Sequence, residues 1–400
     1  MKIAIVSDLH IGYERFRQDA LRQAKIALEK AIVLADAILI PGDIFDKRAP
    51  KPDVIADAIN LFRDLRDSNK LESEIEEFRG PGHIYTNFPI IAVPGTHERT
   101  AAGKENPLAL LSLAGLLADT SESTTIIKKG NEKVAVFGLG GVPEEQVKSE
   151  LQRIAPLPIP DAFNIFMFHQ SIYEILPFND SFIHYEDLPE GFDLYVCGHI
   201  HNHIEATVHG KPFLIPGSTV LTQLKDKEQG RKGFIVFDTV SLTHEFIEID
   251  SRDFVLEEVE AKGSNASEIA SSIRSSIENA VVTHENPVVR VVVSGTLEKG
   301  SEASDIALQK LVSEFSGRAE IEIDMSKLES EGLGERIDQI REGKLGNMSI
   351  KEMGMVLLRE RLAAEGYSSK IDPQTLFSIM SESKKEEAIK AVLELLEKEK

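Results

Sequence analysis

The sequence predicts an α/β layered domain, followed by a small α+β unit and a helical tail. Short apolar runs alternate with helical patterns up to about residue 250, and five of those runs carry His or Asp just past their ends. After residue 250 the texture changes and the His–Asp clustering stops. Alternation of strand and helix patterns is what layered α/β architectures require.

The elements follow in order. Lys2 to Ser7 (KIAIVS) is an apolar run that leads into Asp-Leu-His, and Ala37 to Pro41 (AILIP) leads into Gly-Asp. Pro89 to Pro94 (PIIAVP) leads into Gly-Thr-His-Glu, Asn164 to Phe168 (NIFMF) into His-Gln-Ser, and Asp193 to Cys197 (DLYVC) into Gly-His-Ile-His. Short runs without polar alternation suit strands buried on both faces. Helical patterns fall at Arg17 to Leu34 and Pro52 to Arg66, and Leu110, Leu113 and Leu117 mark another over Asn106 to Leu117. Ile204 to Ile215, turning at His209-Gly210, and Lys232 to Asp238 read as antiparallel additions. Further on, a helix over Ala266 to Ala280 precedes a strand at Pro287 to Ser294, and a helix over Ser304 to Phe315 precedes a strand at Ala319 to Ile323. Ser330 to Asn347 is rich in Gly and Glu and reads as a linker. From Ser349 the pattern is helical with narrow apolar faces, and helices with so little core of their own dock on a partner.

Composition narrows the function. With 42% apolar and 28% charged residues, the 400-residue chain is ordinary globular protein, not a disordered one. No apolar run approaches the roughly 20 residues that cross a bilayer. The start, MKIAIVSDLH, lacks the pattern of a signal peptide, so a cytoplasmic address is expected. The single cysteine, Cys197, excludes an internal disulfide and a cysteine-rich metal site. A net charge of −21 means that the overall field does not hold a polyanion. Nucleic acid would have to be met by local basic loops, bound cations or a partner.

Asp8, His10, Asp43, His97, His169, His199 and His201 all lie at strand ends, the edge where open α/β sheets bind ligands. Carboxylates plus imidazoles, without cysteine, favour Mn, Fe or Zn over Ca or Mg. A carboxylate can bridge two cations while neutral imidazoles complete each shell. Two cations roughly 3.5–4 Å apart clamp a phosphate and supply a hydroxide for in-line attack. Gly42, Gly95 and Gly198 fit tight turns where the backbone must approach such a site. Each motif is weak alone, and the set of five in order is what specifies a site.

Asp8-Leu-His10, Gly42-Asp43, Gly95-x-His97-Glu98, His169 and Gly198-His199-x-His201 resemble the signature of calcineurin-like metallophosphoesterases. Within that superfamily, DLHIGYERF, GDIFDKRAPKP, DLPEGFDLYVCGHIH and FLIPGST resemble the SbcD-like DNA double-strand-break repair nucleases of archaea and bacteria. The resemblance is close over residues 1 to about 240. It is looser over the next unit, where PVVRVVVSGTL is similar to the family's DNA-capping domain, and over the C-terminal helices it rests on position and amphipathicity. It implies a four-layer αββα nuclease domain over 1–250, an α+β capping domain over 251–329, a linker over 330–348 and a helical ATPase-binding segment over 349–400.

The resemblance also implies roles. Asp8, His10 and His201 would hold a first metal, Asp43 would bridge, and His169 and His199 would hold the second, with two Mn²⁺ per chain and Fe or Zn as alternatives. His97 would face the scissile phosphate and protonate the leaving 3′ oxygen. Thr96 stands where the family usually has a metal-binding Asn, so a weaker second site is expected; Asp46 stands where some archaeal relatives have His. Tyr13, Lys47, Arg48, Lys51 and Arg99, with Lys104, would meet DNA, and an SMC-type ATPase and a second copy of the chain would be partners. The implied activity is a Mn-dependent 3′-to-5′ exonuclease on duplex ends and an endonuclease on single strands, in double-strand-break repair. Two alternatives are a DNA-end-tethering scaffold whose catalysis Thr96 weakens, and a phosphodiesterase acting on small nucleotides. His203, like His83, His184, His209, His244 and His284, is read as an ordinary histidine outside the site, and Cys197 as a buried, inert thiol.

Overall fold

A computed structural model describes residues 1–81, 84–99, 106–179, 181–224 and 230–330, with residues 355 and 359. In chain order it contains β1 (Lys2–Ile5), α1 (Arg17–Leu34), β2 (Ala37–Ile40), α2 (Pro52–Ser68), β3 (Glu74–Arg79), β4 (Ile90–Ala92), α3 (Pro107–Leu113) and β5 (Ala118–Asp119). Then follow β6 (Ser123–Lys129), β7 (Glu132–Leu139), α4 (Glu144–Ile154), β8 (Phe163–His169), β9 (Leu194–Gly198), β10 (Ile204–Val208), β11 (Lys211–Ile215), β12 (Gly233–Asp238) and β13 (Thr243–Glu248). The last are β14 (Phe254–Glu260), α5 (Ala266–Thr283), β15 (Val288–Leu297), α6 (Leu308–Glu314) and β16 (Glu320–Ser330).

The strands form a six-stranded sheet in the order β13-β12-β1-β2-β4-β5 and a seven-stranded sheet in the order β10-β11-β9-β8-β7-β6-β3. Ile3, Ile5, Leu39 and Ile91 of the first sheet pack against Val136, Ile165, Met167 and Val196 of the second, so the two sheets share an inner core. On the first sheet's outer face, Ala24, Ala27, Ala31 and Leu28 of α1 join Val54, Phe62 and Leu65 of α2 and Leu108 and Leu111 of α3. Small alanines let α1 lie close against the sheet. On the second sheet's outer face, Val147 and Leu151 of α4 pack with Phe166, Phe168 and Phe213. This is a four-layer αββα sandwich. β14, β15 and β16 make a separate three-stranded sheet.

The chain divides into two compact units. One holds Met1–Glu260, Ser267–Ser294 and Ala307–Lys327, and the other holds Ala261–Ala266, Gly295–Ile306 and Leu328–Lys400. Among the described residues no helix is long and apolar enough to cross a membrane.

Several boundaries differ from expectation for local reasons. The helix expected over Asn106 to Leu117 spans only Pro107–Leu113: Asn106 caps its start by accepting from the Ala109 N–H at 2.8 Å, and Gly115 turns the chain away in a left-handed conformation (φ 67°). The helix expected over Ser304 to Phe315 is split. Glu302 and Asp305 cap each other reciprocally around a 3₁₀ turn at Ala303–Asp305, and α6 begins only at Leu308. The strand expected at Ala319 to Ile323 runs on to Ser330, the first residue of the expected linker. The rest of that linker, almost all of the C-terminal segment, His83 and Lys104 lie outside the described residues.

Candidate metal centre

The carboxyl ends of β1, β2 and β4 in one sheet and of β8 and β9 in the other open onto the same edge of the sandwich. The loops after β1 and β2 are laced together: the Asp8 N–H donates to the Gly42 carbonyl (3.2 Å), His10 to Asp43 (3.0 Å) and Ile11 to Ile44 (2.8 Å). Asp8, His10, Asp43 and His199 all adopt positive φ, at 52°, 47°, 51° and 80°. Side chains rarely take that conformation, and it concentrates where a fold aims residues at a site. At Gly198 a Cβ would fall 2.0 Å from the Pro41 carbonyl oxygen and 2.7 Å from His169 Nδ1, so no side chain fits where β9 meets the loop after β2.

The structure brings the predicted ligands into two groups. Asp8, His10 and His201 form one, and Asp43, His169 and His199 form the other; in each group one ligand atom per residue lies within 4.8 Å of the others. Asp8, His10, Asp43 and His169 are almost wholly buried.

Proton bookkeeping shows that these groups suit cations. His169 Nδ1 lies 2.7 Å from the Pro41 carbonyl, which can only accept, so Nδ1 carries the proton. With the ring neutral, its other nitrogen, Nε2, turns a lone pair toward Asp43 Oδ2 at 3.2 Å. Two electron-pair donors face each other across a gap that a second ring proton or a cation must fill. Burial works against the proton, yet the Asp43 carboxylate lifts His169 to about 9, so this spot favours positive charge. In the other group, His10 Nε2 and His201 Nε2 stand 3.2 Å apart, with Asp8 Oδ1 3.9 and 3.7 Å from them. Burial, reinforced by His169, pushes His199 down to about 3, and burial with the neighbouring His10 pushes His201 well below its ordinary value. Both rings therefore remain neutral, as metal ligation requires. Burial opposes ionisation of Asp43, but the positive charge of a protonated His169 ring outweighs it and holds the carboxyl below its usual range.

Thr96 sits at the margin of the second group, its Oγ1 3.4 Å from His199 Nδ1. His97 stands outside both, 44% exposed, with its ring edge-on to His10 at 5.0 Å between centroids. Its Nδ1 donates to the Asp46 carbonyl oxygen (2.6 Å), and its backbone N–H donates to Asp43 Oδ1 (2.9 Å). Two buried or half-buried acids complete the surroundings. Asp46 places a carboxylate oxygen 3.4 Å from His10 Nδ1. Glu98 accepts from the Phe45 N–H and the Gly95 N–H, both at 2.9 Å, and so ties the Asp43 loop to the His97 loop. Sequence reasoning passed over Glu98 as a working residue; the signal available was its position directly after His97.

The candidate DNA contacts are placed less uniformly. Lys47 is exposed and paired with Glu14 at 2.7 Å, Lys51 immediately precedes α2, Arg48 is exposed and Arg99 half-buried. Tyr13 donates its hydroxyl to the Thr222 carbonyl oxygen at 2.6 Å. His203 lies off the metal groups, with Nδ1 3.1 Å from the Ile215 carbonyl and Nε2 3.0 Å from Glu205. Cys197 is buried in β9.

Residues 1–203 match the calcineurin-like phosphoesterase family, and the chain belongs to that family. Among its curated relatives, the DNA double-strand break repair protein Mre11 of Archaeoglobus fulgidus is 27% identical over 299 residues, covering 65% of this chain and 62% of that protein. The protein of the same name from Methanopyrus kandleri is 27% identical over 286 residues, covering 65% and 59%. That of Sulfolobus acidocaldarius is 23% identical over 316 residues, covering 74% and 76%. The matched region thus spans about 60% of the length of the first two relatives.

Proposed function

We propose that this chain is a DNA nuclease of double-strand-break repair that works with a pair of divalent ions. The observation that carries the reading is the paired set of ligand groups, with His169 Nε2 and Asp43 Oδ2 facing each other at 3.2 Å. Asp8, His10 and His201 would hold the first ion, and Asp43, His169 and His199 the second, with Asp43 bridging and Thr96 contributing weakly. Mn²⁺ suits this nitrogen–oxygen ligand set, as do Fe and Zn. Such a pair, when bound, neutralises a phosphate and activates water.

The chain's own residues do the rest. With Nδ1–H committed to the Asp46 carbonyl, His97 presents Nε2 outward to carry a proton to the leaving 3′ oxygen. Lys47, Arg48, Lys51, Arg99 and Tyr13 are the proposed backbone contacts, local positive charge on an otherwise acidic protein. The polarity, 3′-to-5′ on duplex ends with endonuclease action on single strands, is proposed from the family resemblance alone. We assign residues 1–250 to the nuclease domain, 251–329 to a DNA-capping domain, 330–348 to a linker and 349–400 to binding of an SMC-type ATPase. Leu110 and Leu113 on α3, 41% and 53% exposed, offer an apolar face for a second copy of the chain.

The test is cleavage of labelled duplex and single-stranded DNA across a Mn²⁺ titration. Cleavage by the natural chain that His97→Ala abolishes supports the nuclease reading over a tethering scaffold. Absence of cleavage at every Mn²⁺ concentration, in both this chain and Thr96→Asn, overturns it. Removing residues 349–400 is expected to leave cleavage intact and to end co-elution with the ATPase.

A further inference from the structure

The segment 216–224 runs past the first ligand group and is bonded to it at several points. The Ser218 N–H donates to the His201 carbonyl (3.1 Å), and the Thr219 N–H donates to the Asp8 carbonyl (3.3 Å). Lys232, buried, donates to Ser218 Oγ at 2.9 Å and to the His201 carbonyl at 3.2 Å. None of these bonds engages a ligand side chain. One further bond does: Thr222 Oγ1 is hydrogen-bonded to His201 Nδ1. Thr222 is itself held, because its carbonyl accepts the Tyr13 hydroxyl at 2.6 Å. Tyr13 belongs to the loop that carries His10, and its N–H donates to the His10 carbonyl at 2.9 Å.

We infer that Thr222 is a positioning residue for the first metal: it fixes the ring of His201 so that Nε2 faces His10 and Asp8, with Tyr13 bracing Thr222 against the loop that carries His10. An imidazole offers a metal one nitrogen, and the hydrogen bond at the other nitrogen sets the ring's rotation and tautomer. His10 and His201 arrive on separate loops, yet their Nε2 atoms stand 3.2 Å apart. The Tyr13–Thr222–His201 chain of bonds links those two loops, so the spacing of the two ligands depends on it. Tyr13 then serves the metal centre as well as, or in place of, contacting DNA. This inference rests on the metal-pair reading above and assigns its first site a residue outside the ligand motifs.

The experiment is Mn²⁺ binding to the full-length, metal-free chain, followed by calorimetry and by electron paramagnetic resonance. Two coupled Mn²⁺ ions give a spectrum distinct from the six-line signal of an isolated one. Thr222→Val keeps the shape and removes the hydroxyl; it is expected to weaken one of the two sites about 10- to 100-fold and to leave an isolated-ion signal at concentrations that saturate the natural chain. Thr222→Ser is expected to restore both sites, and Tyr13→Phe to weaken the same site by less. Unchanged affinities and a coupled spectrum in Thr222→Val overturn the inference, as does equal loss at both sites. Should Thr222→Val fail to fold, Tyr13→Phe decides, and unaltered binding there overturns it. Failure of the natural chain to bind a metal pair is a different result, and it overturns the metal-centre reading itself.

Discussion

Asp43 Oδ2 and His169 Nε2 approach to 3.2 Å inside the fold, while Nδ1–H of the His169 ring is engaged by the Pro41 carbonyl. A buried carboxylate and a buried imidazole held in this way are destabilising unless positive charge lies between them. Mn²⁺ is therefore expected to raise the melting temperature of the metal-free chain. At a hundred times its dissociation constant, each independent site adds about 2.7 kcal/mol. In Asp43→Ala both ions should be lost, since one carboxylate serves two shells. Metal analysis after dialysis and the Mn²⁺-dependent melting shift should both fall to background. Full occupancy in that variant would refute the bridging role.

Much of this site is legible in the sequence, because each ligand lies just past the end of a short run such as KIAIVS or NIFMF that reads as a buried strand. The division of those strands between two sheets is much less so. β3, EIEEFR, is an edge strand with a charged exposed face, and β6, STTIIKK, mixes hydroxyls and lysines with its apolar residues. Neither stands out by periodicity, though β6 and β7 carry a large part of the second sheet. Glu98 lies inside a motif but acts on the backbone of Phe45 across 53 residues of sequence, a relation only folding reveals. Thr222 is 21 residues from His201 and belongs to no motif at all.

Thr96 is the one departure within the proposed ligand set, and its hydroxyl sits 3.4 Å from His199 Nδ1. A side-chain amide there would extend a stronger oxygen donor toward the second group. Thr96→Asn is expected to tighten one Mn²⁺ site about 10-fold and to lower the Mn²⁺ concentration that half-saturates cleavage, with little change in rate at saturation. Calorimetry on both forms, read beside the cleavage titration, checks it; a tighter site without any shift in metal demand would detach Thr96 from catalysis.

Glu98 gives a pH dependence with a definite sign. Burial, with Asp43 nearby, pushes its carboxyl up to about 8 in spite of the two backbone N–H groups it accepts. Between its ordinary value of 4.5 and about 8, the folded metal-free chain holds a proton that the unfolded chain has released. Its stabilising contribution is therefore complete below the ordinary value and is lost as pH rises toward 8. In the metal-free state, the melting temperature of the natural chain relative to Glu98→Gln should fall from pH 5 to pH 8. A difference that stays flat, or rises, over that window would show that Glu98 is ionised throughout.

His97 separates chemistry from metal binding. It lies outside the two proposed ligand groups, though it clusters with His10 and Asp46, is 44% exposed and is anchored through Nδ1 to the Asp46 carbonyl, so removing its ring is expected to take away the proposed proton carrier and leave the six proposed ligands in place. His97→Ala is expected to retain metal stoichiometry and the Mn²⁺-dependent melting shift while cleavage falls about 10²- to 10⁴-fold, the range typical of a lost general acid. The deficit should shrink on a substrate whose leaving group needs no proton, such as a p-nitrophenyl phosphodiester, because the missing step is protonation of the departing oxygen. An equal deficit on both substrates would move His97 from proton transfer to holding the phosphate, and loss of metal in the variant would make it part of the cage.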